Sequence, residues 1–113
     1  MNDVLFVDSG HVLKTGNDLH HVLFEVLPVL TPGVVIHFHD IFWPFEYPAT
    51  WVLDERRAWN ENYALRAFLS GNAGYEILFF NDYFARYQLD AMRAAHKLIA
   101  RNTGGSLWLR KRA

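Results

Sequence analysis

The chain has 113 residues, 51% of them apolar, and a formal net charge of −1. That suffices for one small domain with an aromatic-rich core, and it lacks the basic stripe of a general nucleic-acid binder. There is no cysteine, which excludes disulfides, thiolate metal sites and a cysteine nucleophile.

No apolar run approaches the ~20 residues of a membrane span. Met1-Asn2-Asp3 lacks the basic-then-apolar opening of a signal peptide. A soluble, cytoplasmic protein with no membrane and no nucleic-acid partner is expected. The one basic cluster, Arg110-Lys111-Arg112, reads as a solvated tail.

Residues 3 to 8 read as a buried strand, because Val4 to Val7 is continuously apolar and β-prone. Ser9-Gly10 breaks it. Asn17 is a good helix N-cap, with Asp18 in the first turn. Leu19, Val22, Leu23, Val26, Leu27 and Leu30 then fall at helical steps of three and four. Pro28 bends the last turn, and Pro32-Gly33 ends it. Residues 34 to 39 form the next strand. Strand, helix, strand at this spacing predicts a parallel, right-handed βαβ unit.

After Asp40 comes an aromatic, proline-punctuated loop, Ile41 to Pro48, too apolar to float free and read as a lid. Within it Trp43, Phe45 and Tyr47 are expected to pack the lid. Thr50 is a candidate cap for a helix over roughly 51–70. Its first half is polar (Asp54, Glu55, Arg56, Arg57, Asn60, Glu61), and Trp51, Ala58, Leu65 and Leu69 give its core-facing line. Tyr75 to Phe80 is a third strand. Leu89, Met92, His96 and Ile99 mark a last helix, and Ser106 to Arg110 a final strand. The order β-α-β-α-β-α-β implies an α/β layered sheet in a single domain over residues 1–113.

In such sheets ligands bind at the carboxyl ends of the strands. Asp8, followed by His11, ends the first strand, and His39-Asp40 ends the second. Neighbouring strands lie ~4.8 Å apart, so the two carboxylates approach closely. They repel, and one takes up a proton unless a cation lies between them. Oxygen ligands suit Mg²⁺ or Ca²⁺, and a nitrogen from His39 shifts preference towards Mn²⁺, Fe²⁺ or Zn²⁺. His11 is a candidate general base. A simpler role is also open to each aspartate: Asp8 as a cap of the following turn, and Asp40 as an N-cap of the lid. His37 reads as structural. His20 and His21 lie beside the apolar stripe, and Glu55-Arg56-Arg57 reads as a solvated helix face.

Val7-Asp8-Ser9-Gly10-His11, the helix, Leu30-Thr31-Pro32-Gly33-Val34-Val35 and then His39-Asp40 resemble, in order and spacing, the C-terminal half of class I S-adenosylmethionine-dependent methyltransferases. The branch is the metal-dependent O-methyltransferase-like group, with macrolide-sugar O-methyltransferases and cephalosporin-hydroxylase-type proteins. The resemblance implies a Rossmann-like half sheet, three-layered, with a final antiparallel strand. It makes Asp8, His39 and Asp40 ligands of a divalent metal, Mg²⁺ or Mn²⁺. The position of His39 is often acidic in the sugar-modifying members. It makes His11 the base that deprotonates a small hydroxylated acceptor for O-methyl transfer.

The family holds S-adenosylmethionine mainly through a Gly-rich turn and an acidic residue that both precede the matching segment, and this chain has no G-x-G-x-x-G. The chain is therefore expected to be a partial domain that does not bind the cofactor alone. The resemblance also leaves strand 4–7 without a partner, so a homodimer through that apolar edge is expected. Two other functions remain open to the residues: a non-catalytic, self-associating protein derived from the fold, and a metal-dependent hydrolase using the same rim.

Overall fold

A computed structural model describes residues 3–113. Strand β1 is Val4–Val7. Helix α1, Asp18–His21, continues as a wider π turn over Val22–Val26 and a tight 3-10 turn over Leu27–Val29. Pro28 has no N–H for the preceding turn, which accounts for the change of spacing. Strand β2 is Val35–His39, followed by α2 (Ala49–Leu53) and α3 (Glu61–Leu69). Strand β3, Tyr75–Phe80, runs into α4 (Asn81–Tyr87), α5 (Leu89–Ala95) and α6 (Lys97–Arg101), and β4 is Ser106–Lys111.

The four strands form one mixed sheet in the order β1-β2-β4-β3. Strands β1 and β2 are parallel, with Val7 opposite Phe38, while β4 is antiparallel to both β2 and β3. Leu5, Val7, Ile36, Phe38, Leu107 and Leu109 share one face through these registers. Leu19, Leu23, Leu27 and Leu65 pack on that face and complete the core. On the opposite face Phe79 stacks on Phe84, and Ala91, Met92, Ala95 and Ile99 line an apolar cavity of about 250 Å³ with them. No described helix is long and apolar enough to cross a membrane.

Several expectations are corrected. Strand β1 is not covered on both faces: Val4 is 58% and Phe6 61% exposed, and β1 is an edge of the sheet. The helix expected over 51–70 is two helices. Between them Arg56 takes a left-handed backbone (φ 53°) and the chain folds back. The guanidinium of Arg57 then lies 4.0 Å from the Trp51 ring and 4.8 Å from that of Trp59, held by Glu55. These contacts replace the solvated face expected of Arg57 and contribute about 0.5–1 kcal/mol each. Thr50 lies inside α2 and does not cap it; Pro48 holds the cap position. The helix expected from Leu89 to Ile99 is two, broken at His96, whose extended backbone (φ −163°) and Nδ1 cap α6, and α4 before it was not expected. The basic cluster is not a solvated tail either, since β4 runs to Lys111 and both Arg110 and Arg112 pair with Glu76 across the sheet. Asn17 does cap α1, its Oδ1 accepting from the His20 N–H at 3.0 Å.

Candidate functional site

The parallel pairing carries Asp8 and Asp40 to the same rim, at the carboxyl ends of β1 and β2. After Asp8 the chain turns through Ser9-Gly10, and the Gly10 N–H donates to Asp18 Oδ2 at 2.6 Å. That bond holds the Asp18 carboxyl below its ordinary range. It also ties the post-strand turn to the start of α1, and His11 turns back over the rim. Its Nε2 lies 3.8 Å from Asp8 Oδ1 and 3.7 Å from Asp40 Oδ2. Its ring stacks on Trp59, centroids 4.0 Å apart. Asp40 itself has a left-handed backbone (φ 59°), which is uncommon outside glycine and clusters at functional sites.

The far nitrogen of His11, Nδ1, meets Glu61 Oε2 at 2.7 Å. Glu61 is 2% exposed. Burial pushes its carboxyl up to about 7, His11 opposes that shift, and the negative charges of Asp40 and Asp18 add to it. Three carboxylates thus surround one imidazole. Asp8 is about half exposed and Asp40 largely buried, so the rim opens to solvent on the Asp8 side.

Ligand atoms of Asp8, His11 and Asp40 all lie within 4.8 Å of one another. One divalent ion with bonds of about 2.0–2.6 Å fits between the Asp8 and Asp40 carboxylates, with His11 Nε2 beside it, and hard oxygen donors suit Mg²⁺ or Mn²⁺. The residues present therefore fit a divalent metal. His39 stands outside that set. Its Nε2 is 3.7 Å from Asp40 Oδ1, and its Nδ1 is 3.4 Å from Nε2 of His37. His37 is buried, stacked on Phe6 and edge-on to Trp108. Burial and the neighbouring His39 hold its pKa down. His20 and His21 are exposed, and His20 packs against Phe24.

Beside the rim opens a cleft of about 480 Å³, lined by His39, Asp40, Phe42, Trp51, Asp82 and Asn102 among others. Of the lid residues, Phe42 lines it. Trp43 packs edge-on to Phe80 and Tyr83, its N–H donating to Asp82, while buried Tyr47 accepts from the Asn62 N–H. A small polar molecule entering there meets the Asp40 carboxylate. Among the described residues no strand is followed by a Gly-rich turn into a helix.

Glu61, its neighbours Asn60 and Asn62, and Trp59 were not singled out from the sequence. A signal for Glu61 was present: Glu61, Leu65 and Leu69 are spaced by four, so a carboxylate shares the apolar stripe of α3. A buried carboxylate needs a partner, and that partner is His11. The fold and the rim together define an α/β domain with a mixed sheet and a carboxylate–imidazole cluster at its parallel edge. Compared with known proteins, the chain matches no family model, no curated protein and no solved structure.

Proposed function

We propose that this chain is the metal-and-base half of a methyltransferase-type domain, acting on a small hydroxylated acceptor for O-methyl transfer. The observation that carries the reading is the convergence of Asp8, His11 and Asp40 at the ends of two parallel neighbours. The motif order of the sequence and the final strand, antiparallel between β2 and β3, support a Rossmann-like half sheet of that kind.

Asp8 and Asp40 would hold a divalent cation, with His39 beside Asp40 on the cleft side. Such a cation lowers the pKa of a hydroxyl beside it. His11 has only Nε2 at the rim, since Nδ1 is engaged by Glu61. We assign Nε2 to the base: it takes the acceptor proton at the rim, beside the two carboxylates that would hold the cation. The Trp59 ring and Glu61 restrain the imidazole, so little reorganisation is needed as the proton moves. In this reading the methyl donor is held by residues outside this set. Calorimetry tests the reading: Mn²⁺ or Mg²⁺ binds, and S-adenosylmethionine gives no heat with the chain by itself. Binding of neither metal overturns it; metal binding with hydrolysis of an ester or phosphoester, lost in His11→Ala, favours a hydrolase instead.

A second reading concerns association. The exposed Val4 and Phe6 and the open hydrogen-bonding edge of β1 favour pairing of two copies through residues 4–7 about a two-fold axis. That pairing brings two Asp8/Asp40 rims towards the dimer centre.

A further inference from the structure

Three consecutive polar residues open α3, and none of them caps it. Asn60 occupies the N-cap position without a side-chain bond to its own helix. Its Oδ1 instead accepts from the Leu13 N–H at 2.5 Å, and its Nδ2 donates to the Leu13 carbonyl at 3.3 Å. Asn62, fully buried, accepts from the Phe42 N–H at 2.9 Å and donates to the Asp40 carbonyl at 3.3 Å. Glu61 lies between them and binds His11 Nδ1. The tripeptide thus grips both rim segments, 11–13 after β1 and 40–42 after β2. The grip is reciprocal. The free N–H groups of Asn60 and Glu61 donate to the His11 carbonyl at 3.1 and 3.2 Å, so His11 is fixed through its backbone and its ring by one helix start.

A surface acid in a first helical turn is ordinarily solvated and favoured by the helix dipole. Glu61 is neither solvated nor facing its own helix; its hydrogen-bonded oxygen faces a ring nitrogen. A carboxylate accepts only, so the ring nitrogen that meets it carries the hydrogen. The other nitrogen, Nε2, faces Asp8 and Asp40 at 3.8 and 3.7 Å, two negative charges that favour a hydrogen there. We propose that Glu61 is a positioning residue that selects the Nδ1–H tautomer of His11 against this pull, leaving the Nε2 lone pair at the rim. This rests on the reading of Nε2 as the base, since the other tautomer has no lone pair to offer at the rim.

Long-range ¹H–¹⁵N NMR of the labelled chain, free of added metal and well above the ordinary imidazole range, reads the tautomer directly. The His11 signals are assigned by their loss in His11→Gln. A charge-assisted hydrogen bond favours the bonded tautomer by roughly tenfold or more. The wild type is therefore expected to show Nδ1 protonated and Nε2 bare. In Glu61→Gln the amide offers a donor as well as an acceptor, and the signals are expected to move to the Nε2–H form facing Asp8 and Asp40. An Nε2–H ring in the wild type, or an unchanged Nδ1–H ring in the variant, overturns the proposal. Should the variant not fold, the wild-type spectrum alone decides. Because no metal is added, the tautomer stands or falls separately from the metal reading: failure of Mn²⁺ binding leaves it intact.

Discussion

Substituting Glu61 by Gln should change how stability depends on pH. Burial raises the Glu61 carboxyl from 4.5 to about 7. A raised carboxyl pKa means that the folded state binds the proton more tightly than the unfolded state. The stabilisation is therefore complete below pH 4.5 and is lost as pH rises through about 7. At about 1.4 kcal/mol per pH unit of difference, the loss amounts to about 3 kcal/mol. Gln is close to the protonated acid in shape and does not titrate, so Glu61→Gln lacks this loss. Urea unfolding of both proteins at the two ends of that interval gives a difference of differences. The variant should gain about 2–3 kcal/mol on the wild type between the acid and the alkaline end. Asp8, Asp18 and Asp40 are common to both proteins and largely cancel. His11 is bonded to Glu61, so the measurement reads the pair. A stability gap that stays constant with pH, or that widens in favour of the wild type as pH rises, refutes the reasoning.

A methyl group added at Gly105 would overlap the Phe42 ring, and Gly105 also accepts the Asp40 N–H at 2.7 Å. Gly105→Ala is expected to cost about 1–3 kcal/mol in thermal or urea unfolding and to weaken Mn²⁺ binding through displacement of Asp40. Phe6→Glu places a charge on the open edge; if two copies pair there, sedimentation velocity should show a dimer for the wild type and a monomer for the variant. A wild-type monomer at high concentration sinks the pairing. Leu109→Ala, at a fully buried position between β2 and β3, should lose about 2–5 kcal/mol, measured by the same unfolding.

Periodicity and turn residues made the parallel β1–β2 pair, the cap at Asn17, the strand at 75–80 and a final strand over 106–110 readable in the sequence. These features are local, and each carries its own signal. What was not readable depends on contacts made at a distance. The break between α2 and α3 follows from Arg57 folding back onto two tryptophans, which no helical spacing reveals. The exposure of Val4 and Phe6 depends on what does not cover β1. At the rim, Asp8, His11 and Asp40 were legible as strand-end polar residues. The departure of His39 towards His37 is a side-chain choice, set by the neighbour two residues away on the same face of β2. Glu61 was hidden because a polar helix start reads as a solvated face; only its place on the apolar stripe distinguished it.

The central claim is that Asp8 and Asp40 hold a divalent ion with His11 beside it as base. Electron paramagnetic resonance of free Mn²⁺, titrated with wild type, Asp40→Asn and His11→Ala, tests it most directly. The account predicts one ion bound per chain in the wild type, loss of at least about tenfold in affinity in Asp40→Asn, and near-wild-type affinity in His11→Ala. Equal affinity in Asp40→Asn, or no ion bound by the wild type, would contradict it.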